Sequence, residues 1–279
     1  MPAEVDPSAP VRRAAVLGHP IAHSLSPVLH RTAWIALGLP WEYSAVDCTS
    51  DRLAAYVGSL DASWVGLSLT MPLKQAVLPL LTESDPLVDA TGAANTLLLD
   101  GGARRGANTD VEGIERALLE AGAGPAAEAA VVGGGATARS AVAALARLGA
   151  RSVTGYVRRP EAGEELVATG SAVGVEVEVR PWDAAGEALD AATVVSTVPR
   201  GVADPLVGAV PAAPGVLLDV VYDPWPTPLA AAWSAHGGAV ASGLGMLLHQ
   251  AVGQVRLMTG AEPPVEAMRA ALEDAAARR

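Results

Sequence analysis

One stretch constrains the fold of this chain more than any other: Ala129-Ala130-Val131-Val132 running into Gly133-Gly134-Gly135-Ala136-Thr137-Ala138. Four apolar residues suit a buried strand, the glycines allow a tight turn, and Arg139 to Leu148 follows as a helical run closed by Gly149. A strand turning straight into a helix requires a crossover to a parallel neighbour, and therefore a sheet with helices on its faces. The spacing is also that of the dinucleotide fingerprint, Gly-x-Gly-x-x-Gly/Ala. Glycines there let the backbone approach a pyrophosphate, and the helix start offers N–H donors to it. Gly133, Gly134, Gly135, Ala136, Thr137 and Ala138 are therefore candidate nucleotide-binding residues. The alternative is a glycine turn that serves structure alone.

The next strand, Ser152 to Val157, ends in Arg158-Arg159 about 20 residues after the turn, where an NAD site holds an acid for the ribose hydroxyl. Two arginines without an acid suit a 2′-phosphate, because guanidinium grips phosphate through paired N–H bonds. Arg158 and Arg159 thus point to NADP; the alternative is a pair of solvated cations at a strand end.

Strand and helix patterns alternate along most of the chain, which implies parallel sheets and an α/β class. Ala14 to Gly18 reads as a strand, and Val28 to Leu37 as a helix with Ser26 as N-cap and Pro27 in its first turn. Ser24 has no capping duty on that reading. Tyr43 to Val46 is a strand and Asp51 to Leu60 a helix. Trp64 to Leu69 is a third strand, broken by Met71-Pro72 into a helix that carries Lys74. Lys74 is the only lysine among 19 Lys+Arg. A guanidinium stays protonated at any working pH, whereas an ammonium in a desolvated site exchanges its proton. A helix start beside Lys74 adds a positive dipole end. The only asparagines, Asn95 and Asn108, also fall in short polar motifs. Asn95 to Leu99 and a return through Arg104 and Arg105 form a hairpin about Asp100-Gly101-Gly102. Asn108-Thr109-Asp110 opens a helix to Glu120, capped by Thr109 or Asp110. Gly122 to Ala127 is the clearest loop. Beyond the nucleotide turn, Val175 to Val179, Thr193 to Thr197 and Val216 to Val221 are strands, and Ser242 begins a helix to about Met258. In it Gln250 and Gln254 share one flank.

Composition narrows the partners. The chain has 279 residues, 51% of them hydrophobic and 18% charged, with no phenylalanine, so its cores are aliphatic. A net charge of -11 argues against nucleic acid as a partner and leaves anionic ligands to local donors. No apolar run is long enough to span a membrane. Met1 to Pro10 lacks a signal-peptide pattern, and the lone Cys48 fits a reducing cytoplasm. No Cys/His cluster has metal-ligand spacing, so no metal is expected. His19, His23 and His249 read as structural histidines.

Several motifs, in order from about Ala14 to Met258, resemble those of the shikimate dehydrogenase family. They are Pro20 to Pro27, Leu69 to Lys74, Gly92 to Thr96, Asn108 to Asp110, the glycine turn, Tyr222-Asp223-Pro224 and Gly243 to Leu247. The resemblance implies NADPH-dependent, reversible reduction of 3-dehydroshikimate to shikimate, in a cytoplasmic monomer or homodimer. It implies a substrate domain over residues 1–109, a Rossmann-type NADP-binding domain over 110–242, helices 243–279 returning to the first, and a cleft between the two. It assigns Ser24, Ser26 and Tyr222 to the substrate carboxylate, and Thr70, Lys74, Asn95, Asp110 and Gln250 to the ring hydroxyls. Lys74 and Asp110 would be the acid–base pair, with Val220 and Gly243 near the nicotinamide. Ser68 stands where many relatives have Asn. Val157-Arg158-Arg159 replaces a frequent Asn-Arg-Thr, and Ala162 a later arginine. A quinate/shikimate dehydrogenase, a paralogue acting on another small polyhydroxylated acid, and a non-catalytic nucleotide or metabolite sensor are the rival readings.

Overall fold

A computed structural model describes residues 11–279, so Met1 to Pro10, with the signal-peptide reading, lies outside the described residues. The chain forms two compact units. The first comprises residues up to Asp89, Ala93–Thr109 and Gln250–Arg279; the second comprises Ala90–Gly92 and Asp110–His249.

In the first unit the order is β1 (Arg13–Gly18), α1 (Ser26–Ala36), β2 (Glu42–Asp47), α2 (Ser50–Gly58), β3 (Trp64–Leu69), α3 (Leu73–Ala76), β4 (Glu83–Ser84), α4 (Pro86–Thr91), β5 (Thr96–Asp100) and β6 (Ala103–Ala107). The sheet order is β2-β1-β3-β5-β6-β4. β1 is parallel to both neighbours, but β5 runs antiparallel to β3 and to β6. The expectation of parallel sheets therefore fails here. The Asp100-Gly101-Gly102 hairpin accounts for the β5–β6 pair, since Gly101 (φ 55°) and Gly102 (φ 94°) occupy the left-handed region that a two-residue hairpin turn needs, and the rest follows from β5 pairing antiparallel with β3. Ala15, Leu17, Leu53, Leu67, Leu73 and Leu97 form an aliphatic core under this sheet. Each such leucine, fully buried, contributes about 1.5–3 kcal/mol.

Two local expectations are corrected. Helix α1 starts at Ser26 rather than after it, with Leu25 at the N-cap position and no side-chain cap. It is the Ser24 hydroxyl oxygen that accepts the Ser26 N–H, at 3.3 Å, so Ser24 carries the turn duty given to Ser26. Helix α3 spans only four residues, too few for a dipole argument about Lys74.

The second unit holds α5 (Asp110–Glu120), β7 (Glu128–Val132), α6 (Ala136–Arg147), β8 (Ser152–Val157), α7 (Pro160–Val173), β9 (Glu176–Pro181), β10 (Thr193–Ser196), β11 (Val216–Asp219), α8 (Pro228–Ala235), β12 (Ala239–Ser242) and the first part of α9 (Gly243–Thr259). Its six strands are all parallel in the order β12-β11-β10-β7-β8-β9. Strand order reverses at β7, the switch point of a doubly wound nucleotide-binding sheet. Ala130, Val132, Val194, Leu217, Leu229 and Trp233 fill a core beside it. Strand β12 escaped the sequence reading because four residues behind two glycines show no clear period. The last helix, α10 (Val265–Ala277), packs on α1 within the first unit. Among the described residues no helix is long and apolar enough to cross a membrane.

Candidate active site

The first sheet gathers polar groups at one edge. β1 and β3 are parallel, so Gly18 and Leu69 end side by side; β5 is antiparallel, so its start, Asn95-Thr96, meets that same edge. The Thr70 N–H donates to the Leu17 carbonyl at 2.9 Å and the His19 N–H to the Met71 carbonyl at 3.0 Å. Only glycine fits at residue 18, because a Cβ there would lie 2.3 Å from the Thr70 methyl. The Ala94 N–H donates to the Lys74 carbonyl at 2.9 Å, which fixes the Lys74 backbone beside Asn95. Lys74 and Thr70 are half-buried, whereas Asn95 (1%) and Gln250 (7%) are almost wholly enclosed. Asn95 Nδ2 donates to Thr109 Oγ1 at 2.9 Å and lies 3.4 Å from Gln250 Oε1. The edge thus unites Thr70, Lys74, Asn95 and Gln250, with half-buried Ser24 and buried Ser26 in the loop leaving β1. His19 is hydrogen-bonded to Asp47 at 2.8 Å, in keeping with a structural histidine.

In the second unit the glycine turn leaves β7 at the switch point. Gly133 takes φ 117°, and a Cβ there would meet Thr197 Oγ1 at 2.4 Å. A Cβ at Gly134 would meet the Ala162 methyl at 2.7 Å, but one at Gly135 would meet nothing within 4 Å. The turn is closed on its protein side and open at Gly135, and no side chain caps α6 behind it. This fits a pyrophosphate resting on helix-start N–H groups. Arg158 and Arg159 are exposed at the end of β8, the strand paired with β7. Val220 and Gly243 are brought together: a Cβ on Gly243 would fall 2.0 Å from the Val220 carbonyl oxygen. Tyr222 is half-buried in the loop after β11, and Asp110 is buried in the first turn of α5.

Two supporting residues escaped the sequence reading. Asp219, buried at the end of β11, accepts the Val221 N–H at 3.2 Å and the Thr227 hydroxyl at 2.7 Å, bracketing the loop that holds Val220 and Tyr222. Burial raises its carboxyl above the usual range, and the Thr227 and Val221 donors oppose that shift. Arg139 on α6 is buried, donates to the Thr91 and Gly92 carbonyls, and pairs with Glu165. A charged residue inside an otherwise Ala/Val-rich helix was the available signal for it. Among the described residues no group of three His, Cys, Asp or Glu side chains is placed to hold a metal ion.

A doubly wound parallel sheet with a glycine turn at its switch point, joined to a second α/β unit with an ammonium, amides and hydroxyls at one sheet edge, defines a two-domain dinucleotide-dependent oxidoreductase. Comparison with known proteins narrows that class. Residues 16–97 match the shikimate dehydrogenase substrate binding domain, and residues 243–273 the shikimate 5′-dehydrogenase C-terminal domain. The shikimate dehydrogenase (NADP(+)) of Moorella thermoacetica is 37% identical over 94% of this chain and 92% of its own length. The crystal structure of Mycobacterium tuberculosis shikimate dehydrogenase has a TM-score of 0.88 at 44% identity, covering 94% of this chain and 99% of that one. The Thermus thermophilus enzyme, in complex with NADP(H) and shikimate, has a TM-score of 0.84 at 32% identity over 95% of this chain and 100% of that one. The chain belongs to the shikimate dehydrogenase family.

Proposed function

We propose that the protein catalyses the NADPH-dependent, reversible reduction of 3-dehydroshikimate to shikimate, a step of the shikimate pathway toward chorismate and the aromatic amino acids. The observation that supports this best is the meeting of Thr70, Lys74, Asn95 and Gln250 at one edge of the first sheet. Most of that edge falls within the stretch matching the family's substrate binding domain.

On this reading residues 1–109, with 243–279, hold substrate, and residues 110–242 hold NADP(H). Gly133 to Ala138 cradle the pyrophosphate and Arg158 and Arg159 take the 2′-phosphate, while Val220 and Gly243 shape the nicotinamide site. Bound NADPH supplies the hydride to the substrate ketone. Lys74 donates the proton to the oxygen that becomes the hydroxyl, stabilises its developing negative charge, and takes the proton back in the oxidative direction. Asp110 is its charge partner. Ser24, Ser26 and Tyr222 bind the substrate carboxylate. Because Ser24 accepts the Ser26 N–H on its oxygen, its hydroxyl hydrogen is the part turned to that carboxylate. Thr70, Asn95 and Gln250 bind ring hydroxyls. The enzyme works in the cytoplasm, as a monomer or homodimer, on small molecules, without a nucleic-acid or membrane partner.

The test is a turnover assay of purified protein with shikimate or quinate, each with NADP⁺ and NAD⁺. Shikimate with NADP⁺ should give the highest kcat/KM. Failure to oxidise shikimate with either dinucleotide would falsify the proposal, and a preference for quinate would redirect it.

A further inference from the structure

Asn95 is held by a chain of buried hydrogen bonds that runs in one direction only. The Gln254 amide nitrogen faces the Asn95 main-chain carbonyl at 3.1 Å, and a carbonyl can only accept. That fixes Gln254 with Nε2 toward β5, where its second hydrogen goes to Thr96 Oγ1 at 3.1 Å. Its Oε1 must then face Ser68, so the Ser68 hydroxyl donates to it at 2.7 Å and accepts from the Tyr43 hydroxyl at 2.6 Å. Thr96, having accepted from Gln254, donates its own hydrogen to Asn95 Oδ1 at 2.9 Å. The other end is fixed as well. The Thr109 N–H donates to Asn95 Oδ1 at 2.9 Å, and an N–H can only donate. A flipped Asn95 would set its NH₂ against both donors. Its amide therefore has one orientation, with Oδ1 taking the Thr96 and Thr109 donors and Nδ2 giving one hydrogen to Thr109 Oγ1 at 2.9 Å and turning the other toward Gln250.

We infer that Gln254 is a positioning residue that, through Thr96 and with Ser68 as its anchor, directs the Gln250-side hydrogen of the Asn95 NH₂ as a donor to a substrate oxygen. The inference rests on the reading of Asn95 as a substrate-binding residue. Ser68 accordingly belongs to the relay and not to the groups that touch substrate. All six side chains of the relay, Tyr43, Ser68, Asn95, Thr96, Thr109 and Gln254, are buried, so water cannot replace a missing member cheaply.

The experiment compares Gln254→Leu, Ser68→Ala, Asn95→Ala and the Asn95→Ala/Gln254→Leu pair, each checked for a cooperative thermal transition. Gln254→Leu should raise KM for shikimate about tenfold and leave KM for NADP⁺ within about twofold, the size expected for one misdirected hydrogen bond. Ser68→Ala should move the same parameter the same way by a smaller factor. In the Asn95→Ala background the Gln254 effect should vanish, because no amide is left to orient. Should Gln254→Leu fail to fold, Ser68→Ala decides by the same split. Folded Gln254 and Ser68 variants with unchanged shikimate KM, or with both KM values raised together, would overturn the relay while leaving the proposed function standing. An Asn95→Ala enzyme with unchanged shikimate KM would instead remove the reading on which the relay rests.

Discussion

Lys74 is the side chain on which the proposed chemistry turns, and two replacements separate its charge from its proton. Lys74→Ala should lower kcat by about 10²–10⁴-fold with little change in shikimate KM, as expected for loss of a positioned acid. Lys74→Arg restores a cation but not an exchangeable proton, so it should stay near the alanine variant; steady-state rates in both directions decide. Ser24→Ala should act the other way, raising KM more than it lowers kcat. His30, stacked on Tyr43 at 4.0 Å and bonded to the Ser26 carbonyl at 2.9 Å, governs acid stability in the same region. Burial lowers its pKa from 6.5 to about 4, while the Ser26 carbonyl and the neighbouring Gln254 favour the charged form. Because the folded pKa is depressed, the unfolded chain binds the extra proton between those values, and stability rises with pH across the window. The stability tied to neutral His30 is complete above pH 6.5 and lost as pH falls to about 4, amounting to roughly 3 kcal/mol at 1.36 kcal/mol per unit. His30→Gln should flatten that slope in urea melts taken from pH 4 to 7, whatever it does to stability at neutral pH.

At the scale of elements, the second sheet was the more legible because its signals are local. Buried apolar strands alternate with helices, and three glycines mark the switch point, so strand order follows from the rules for crossovers. The first sheet was less so. Its antiparallel half depends on β5 choosing β3 as a neighbour, and β4 is two residues long, far below any period. The site shows the same division. Ser24, Lys74, Asn95 and Gln250 sit in short motifs with distinctive residues, whereas Gln254 and Arg139 look like polar interruptions of apolar helices until their partners are seen. Within the second unit Arg139 ties α6, which starts behind the glycine turn, to the segment Ala90–Gly92, whose Thr91 and Gly92 carbonyls it binds. From Gly92 the chain continues through Ala94, bonded to the Lys74 carbonyl, into Asn95. Arg139→Ala leaves those carbonyls without their donor and should cost about 2–4 kcal/mol of unfolding free energy by denaturant titration. Arg139→Lys should recover little, since a single ammonium cannot reproduce a fork that reaches two carbonyls and Glu165. A lysine variant as stable as the parent would show that charge alone suffices.

For the whole molecule, the net charge of -11 opposes both anionic ligands, while on the proposed reading Arg158 and Arg159 attract one of them locally. Distance decides which field prevails at a given salt concentration. The screening length is about 30 Å at 0.01 M salt, about 10 Å at 0.1 M and about 3 Å at 1 M. Acids scattered over the surface are thus screened between about 0.01 and 0.1 M, while a guanidinium in contact with a phosphate keeps most of its attraction until the screening length approaches the contact distance. NAD⁺ lacks the 2′-phosphate and serves as the internal control, so the informative quantity is KM for NADP⁺ divided by KM for NAD⁺. That ratio should fall from about 0.01 to 0.1 M salt as repulsion fades, then rise toward about 1 M as the arginine contacts weaken. In an Arg158→Ala/Arg159→Ala enzyme it should start at least about tenfold higher, still fall, and lose the rise. A double variant with an unchanged ratio would remove both arginines from the 2′-phosphate site. A parent ratio that climbs from the lowest salt would mean that the two arginines outweigh the whole acidic surface even where it is least screened.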